Sequence, residues 1–429
     1  MPAKGAQVDV IVGGGVVGLS VAWRTARAGR AVTVVDPAPG RGASYAAAGM
    51  LAPVSEVTYT EAPLLRLGVA SLRRWPAFAA ELAADAGLPA GTGPAAGKGP
   101  ASSVESGAGP GFAEVRGLDL RADGTLDVAF GADDLAALDE LAAYMEKLGL
   151  PVERLTGREC RRLEPMLAPS VRGGLLAPGD AWVDPRRVTA ALLAALERLD
   201  VPVVRARATG LLYEGGRVAG VRLAPPASED GPDLRRATGP DTTGPDAAGP
   251  DAAAREVLPH EVRGERVVLA AGAWSSELAE VPVRPVKGQI MRLRSPQPLL
   301  SRCVRGSVHG SSVYLVPRGD GELVVGATQE EMGFDTRVTA GGLYELLRDA
   351  RELVPGVTEL EVADVVAGLR PGTPDNLPLI GPGRTPGLAY ATGHHRGGVL
   401  LAPLTTAILL GEESELAALC APGRFREIS

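Results

Sequence analysis

The chain has 429 residues, 45% of them hydrophobic, with 44 basic against 51 acidic side chains and a net charge of −7. At roughly 150 residues per domain this predicts two or three globular domains, and the interspersed charges exclude a nucleic-acid footprint and a polybasic membrane patch. No apolar run approaches the ~20 residues that span a bilayer, the N-terminus lacks a signal-peptide pattern, and three scattered cysteines, Cys160, Cys303 and Cys420, fit neither a disulfide framework nor a zinc site. The expectation is a cytoplasmic protein with no membrane, nucleic-acid or metal partner.

In chain order, "VDVIVGGG" reads as a buried parallel strand, residues 16–28 as a helix and "AVTVVD" as a second buried strand. Residues 89–111 and 224–254 are rich in Gly, Pro, Ala and small polar residues, the second with a GPD repeat. Neither buries enough apolar surface to offset its ordering entropy, so both are expected as disordered inserts. The second separates the strand-like "GRVAGVRLA" and "VRGERVVLAAG" and so caps a hairpin. Helices are expected at residues 135–148, 185–199, 341–353 and 398–410, and "SVYLVPRGDGELVVGAT" is a hairpin turning at Gly-Asp-Gly. The fold class predicted is α/β, or α+β overall. A Rossmann-like nucleotide-binding domain (residues 1–85, 150–222, 256–280 and 362–429) stands beside a second, antiparallel-sheet substrate domain (112–149 and 281–361).

Gly13-Gly14-Gly15-Val16-Val17-Gly18 is a G-x-G-x-x-G between the first strand and the first helix. Gly13 suits the tight turn, Gly15 the close approach of backbone to a pyrophosphate and Gly18 helix-on-strand packing, while the helix N-terminus around Val17 faces phosphate charge. Asp36 ends the next strand about 20 residues on, where an acid holds a ribose hydroxyl. This spacing predicts a dinucleotide without choosing between FAD and NAD. Two further stretches of small residues let backbone press on a planar cofactor: Ala46-Ala47-Ala48-Gly49, and the strand end Ala270-Ala271-Gly272.

The stretch "ATGHHRGGVLLAP" holds two of the four histidines. His394 and His395 are adjacent and cannot share a helix face as an i, i+4 metal pair does. Contact with a cofactor or substrate through backbone and one side chain fits better than metal binding or base catalysis. Gly397 and Gly398 are expected to make the tight turn into the following helix, with Pro403 kinking that helix or sitting in its first turn.

These blocks, with "GASYAAAGMLAP", "GGLLAPGDAWVDPRRVTAAL" and "AGLRPGTPDNLPLIGP", resemble the FAD-dependent D-amino acid oxidase superfamily, and most closely its glycine oxidases of thiamine biosynthesis. The resemblance implies non-covalent FAD, since no cysteine falls in the C-terminal flavin motifs. It places Ser44, Ala47, Ala48, Gly49 and Met50 along the flavin, with Ala271, Gly272, His394, Gly397, Gly398, Val399 and Leu400. Arg370 binds the amino-acid carboxylate, with a guanidinium fork matched to it. Tyr314 is the substrate-side hydroxyl, Gln329 lines the pocket and Arg396 contacts or gates substrate. The implied chemistry is hydride transfer from the Cα of a neutral amine to flavin. Dioxygen then takes the electrons as hydrogen peroxide, and the imine becomes glyoxylate or enters thiazole assembly. A homotetramer is carried over from the family. His395 stands where the family has an aromatic and Gly397 where it has Asn, so the substrate range stays open. A D-amino acid or sarcosine oxidase, a dehydrogenase reducing a quinone, and an idle FAD-binding subunit are the alternatives.

Overall fold

The computed structural model describes residues 8–56, 60–89, 115–225 and 260–425. The proposed inserts, residues 89–111 and 224–254, lie outside the described residues except at their edges. A six-stranded sheet forms around the first strand, Val8–Val12, in the order 379–382, 388–392, 266–269, 8–12, 31–35, 203–204. All neighbours are parallel except the edge strand Leu379–Pro382, which is antiparallel to Leu388–Thr392.

The unbroken apolar character of these strands has a direct cause, because both faces are covered. Ile11, Val34 and Val268 pack on the helices Val16–Arg27, Pro185–Arg198 and Gly398–Leu409 through Leu19, Trp23, Leu192 and Leu401. Val10, Val12, Val35 and Leu269 face the other way, onto Leu211, Val218 and Val221 of a three-stranded meander. In that meander Arg217–Leu223 is antiparallel to Glu261–Arg263, so the hairpin expected around the second insert uses only the start of its second segment, while Arg266–Leu269 joins the six-stranded sheet.

The second sheet has eight strands, in the order 361–372, 284–294, 322–326, 311–317, 303–308, 125–129, 173–177, 153–156. Every pair is antiparallel except 303–308 with 125–129. Helix Ala340–Leu353 packs on one face through Leu346, Ala350 and Leu353, against Met291, Leu293, Leu315 and Val325. The other face, carrying Ile290, Tyr314 and Val316, meets Ala48 and Trp182 from the nucleotide-binding side. Three strands differ from the division drawn from sequence. Glu153–Thr156, Gly173–Ala177 and Glu361–Gly372 belong to this sheet by hydrogen-bonded pairing, which adjacency in the chain does not reveal.

The remaining elements fall close to expectation: helices at Ala132–Lys147, Pro185–Arg198, Ala340–Leu353 and Gly398–Leu409, and the hairpin Ser311–Pro317 with Glu322–Gly326. Pro403 lies beyond the first turn of its helix and opens the ladder there. Ser71 inserts its hydroxyl, donating to Leu400 O (2.6 Å) and accepting from Leu404 N (3.3 Å), while Trp75 Nε1 also donates to Leu400 O (3.0 Å). A side chain inserted into the ladder satisfies the groups that proline leaves open.

Candidate active site

The glycine motif forms one end of a continuous cavity of about 470 Å³, within the usual range for ligand pockets. Gly13 has φ +119°, and a Cβ there would lie 2.2 Å from Ala270 O. A Cβ on Gly18 would lie 1.9 Å from Gly13 O, so Gly18 packs helix on turn and does not itself line the cavity. Gly15 is different: a Cβ there would meet only Ser44 Oγ, at 3.3 Å, on the cavity side. Ser44 Oγ accepts from Val16 N (2.9 Å), and Val17 in the first helical turn lines the cavity among the orphan amides of that terminus. Asp36 also lines it. Its carboxylate is fixed by Gly14 N and Ala38 N, both 2.7 Å, and burial raises its pKa above the ordinary carboxylate value.

The long wall is built from Ala46, Ala47, Ala48, Gly49 and Met50 on one side and Ala270, Ala271 and Gly272 on the other. Apart from Met50 these residues are short of side chain, which lets backbone lie close against a planar group.

At the far end the eight-stranded sheet supplies Gly288, Ile290, Tyr314, Gly368 and Arg370. The Arg370 guanidinium donates to Thr328 O (3.1 Å) and Lys287 O (3.4 Å), and among the described residues no carboxylate pairs with it. Gly288 makes room for it, since a Cβ there would sit 2.3 Å from Arg370 Nη1. Tyr314 stands beside the Arg370 charge, and burial pushes its hydroxyl up to about 12 against the lowering pull of that charge. Gln329 lines the cavity from an exposed position. Sequence reasoning missed Glu56, Trp274, Arg305 and Ser312, which line the same cavity. Arg305 is held by Ser55 O (2.8 Å) and Asp127 (3.4 Å). Asp180 in turn holds the Val54–Ser55 turn, accepting from both amides and from Ser55 Oγ (2.6 Å).

The histidine stretch departs from expectation in three ways. The left-handed residues of its turn are Gly393 (φ +74°) and His395 (φ +47°), whereas Gly397 and Gly398 have ordinary negative φ. Gly398, Val399, His394 and His395 line the main cavity, but Gly397 and Leu400 line a separate pocket of about 30 Å³ beside Glu61. Arg396 reaches the cavity wall yet its fork pairs with Glu61 and with Glu56 O (3.3 Å), so it is not free to grip a substrate carboxylate as Arg370 is. His394 Nε2 bonds Thr405 Oγ1 (2.9 Å). Burial lowers the His394 pKa to about 3; burial, with Arg396 and Arg370 nearby, lowers that of His395 to about 4. Both rings are therefore neutral at pH 7.

Taken together, a glycine-rich strand–helix turn and a small-walled cavity ending at an arginine without a carboxylate partner among the described residues are the features of a dinucleotide-binding protein with an anion-binding end. The chain belongs to the FAD-dependent oxidoreductase (DAO) family, whose model matches residues 10–109 and 110–411. It is 33% identical over 423 residues to the glycine oxidase of Geobacillus kaustophilus, covering 96% of this chain and 94% of that protein. It is 31% identical over 401 residues to the bifunctional protein ThiO/ThiG of Nostoc sp., covering 93% of this chain and 51% of that one. The chain thus spans about half the length of such bifunctional relatives. The crystal structure of the Geobacillus kaustophilus glycine oxidase superposes with a TM-score of 0.77 at 28% identity, covering 99% of both chains. The cavity's lining fits FAD: Gly13, Gly15, Val17 and Asp36 would hold its dinucleotide part, and the stretches 46–50 and 270–272 its ring.

Proposed function

We propose that this chain oxidises glycine, with other small amino acids as further substrates, using non-covalent FAD and releasing hydrogen peroxide. The observation that carries the reading is Arg370, a guanidinium lining a cofactor-sized cavity, held by two carbonyl oxygens and with no carboxylate partner among the described residues. A carboxylate accepts two charge-assisted bonds from such a fork, each worth about 1.5–3 kcal/mol away from water. When bound, FAD supplies the acceptor for two electrons from the substrate carbon.

The protein's part is binding and orientation. Arg370 holds the carboxylate and Tyr314, protonated at neutral pH, remains a hydroxyl donor beside it. Neutral His394 and His395 add no cation that repels Arg370 or competes for the carboxylate. No cysteine lines the cavity, which supports non-covalent attachment. Relatives named for glycine oxidase and ThiO support glycine as substrate and a supply of its imine or glyoxylate to the thiazole branch of thiamine synthesis. Dioxygen as acceptor, a cytoplasmic location and a homotetramer complete the proposal. No helix among the described residues is long and apolar enough to cross a membrane. An idle FAD-binding subunit is disfavoured, because holding cofactor alone needs no open carboxylate fork.

The test is to purify the protein, record its visible spectrum and measure peroxide with glycine, sarcosine and D-alanine. A flavin spectrum and peroxide with glycine are expected. Sarcosine or D-alanine as the sole productive substrate replaces glycine in the account, and bound flavin that none of the three reduces contradicts it.

A further inference from the structure

Two arginines that line no part of the cavity control the backbone that does. Arg318 and Arg292 are 3% and 1% exposed, and both sit behind the small-residue wall. Arg318 Nη2 donates to Ala48 O and its Nη1 to Val183 O (3.2 Å). Arg292 Nη2 donates to Ala47 O (3.4 Å), while its Nη1 pairs with Glu322. The third carbonyl of the run, Gly49 O, accepts from Val183 N (3.0 Å). Three successive carbonyls are therefore anchored on the protein side.

In a trans peptide the N–H points opposite to the C=O of the same unit. Drawing Ala47 O and Ala48 O toward the arginines turns the amides of Ala48 and Gly49 the other way, toward the cavity that both residues line. Neither amide has a protein acceptor among the described residues, although buried amides are almost always paired. Gly49 is required for this path. Its φ is +78°, and a Cβ would lie 2.0 Å from Val183 O, the carbonyl that Arg318 also holds.

We propose that Arg292 and Arg318 are positioning residues for the cofactor: they hold the Ala47 and Ala48 carbonyls out of the cavity so that the Ala48 and Gly49 amides donate to the negative charge on reduced flavin. Preorganised backbone donors of this kind favour the charged form without reorganising when the charge arrives. The arrangement rests on FAD occupying this cavity. It predicts that the arginines act on the balance between reduced and oxidised flavin without touching substrate.

The test uses holoenzyme: wild type, Arg318→Met, Arg318→Lys and Arg292→Lys, each checked for fold by near-UV circular dichroism and for FAD content by absorbance. The readout is the midpoint potential of bound FAD. Arg318→Met is expected to lose at least tenfold in preference for reduced flavin, a drop of about 30 mV for a two-electron couple. Arg318→Lys keeps the charge but its ammonium does not bridge Ala48 O and Val183 O as the planar fork does, so it is expected to fall as well. Where the Met variant does not fold, the two Lys variants decide. Wild-type potentials in folded, FAD-loaded Lys variants overturn the positioning role. A wild-type chain that takes up no FAD contradicts the proposed function instead.

Discussion

Gly288→Ala perturbs the substrate end without touching its chemistry. The added Cβ would lie 2.3, 2.4 and 2.5 Å from Nη1, Nη2 and Cζ of Arg370. Those atoms are the far end of a flexible side chain, so the guanidinium shifts by about an ångström and the fold survives, because ordinary contact begins near 3.5 Å. The shift costs the hold on Thr328 O and Lys287 O and misaligns the fork. Losing one charge-assisted bond of about 1.5–3 kcal/mol lowers kcat/KM roughly 10- to 150-fold, at 1.4 kcal/mol per tenfold. The assay is peroxide release against glycine concentration, with inhibition by acetate as a probe of carboxylate binding and flavin absorbance as the control. Glycine kinetics and acetate inhibition within twofold of wild type refute the reasoning.

Four more outcomes follow from the geometry. Gly18→Ala forces a Cβ to within 1.9 Å of Gly13 O and is expected to abolish the folded protein, whereas Gly15→Ala, open toward the cavity, keeps the melting temperature of the apoprotein and weakens FAD binding; thermal unfolding and FAD titration separate the two. Arg396→Met is expected to change the KM for glycine less than tenfold, because Glu61 already occupies that fork; a loss as large as that of Arg370→Ala contradicts this. Burial raises the Asp180 carboxyl from its ordinary 3.8 to about 6, so its stabilising contribution is complete below pH 3.8 and is lost as pH rises through 6. A two-unit shift is about 3 kcal/mol, and urea unfolding at pH 4 and pH 7 should show Asp180→Asn gaining on wild type by about that much as pH rises. His394 has the opposite sign: with its pKa lowered from 6.5 to about 3, stability is full above pH 6.5 and falls as pH drops toward 3, a slope that His394→Gln should flatten in acid unfolding.

What the sequence makes legible here is local. Gly13, Gly15 and Gly18 with Asp36 form a strand–turn–helix–strand unit whose demands are met within about thirty residues, and the helix and hairpin signals are likewise contained in their own segments. Tertiary pairing decides the rest. The Arg396–Glu61 pair joins residues 335 positions apart, and Arg318 reaches Ala48 across 270. Neither spacing carries any signal in one chain. The strands at 153–156 and 173–177 sit beside nucleotide-binding segments in sequence, yet they pair into the other sheet. His395 is in the left-handed region although two glycines follow it, so the presence of Gly397 and Gly398 points to the turn without fixing which residue bends.

An amino acid whose carboxylate is held by Arg370 would give the two electrons of its Cα–H bond to flavin bound in this cavity. An anaerobic titration of the purified holoenzyme with glycine, run beside Arg370→Ala at equal flavin content, tests it directly. Bleaching of the flavin absorbance by glycine in wild type, and an oxidised spectrum in Arg370→Ala that dithionite still reduces, is the predicted result. Equal bleaching of both proteins at the same glycine concentration contradicts it.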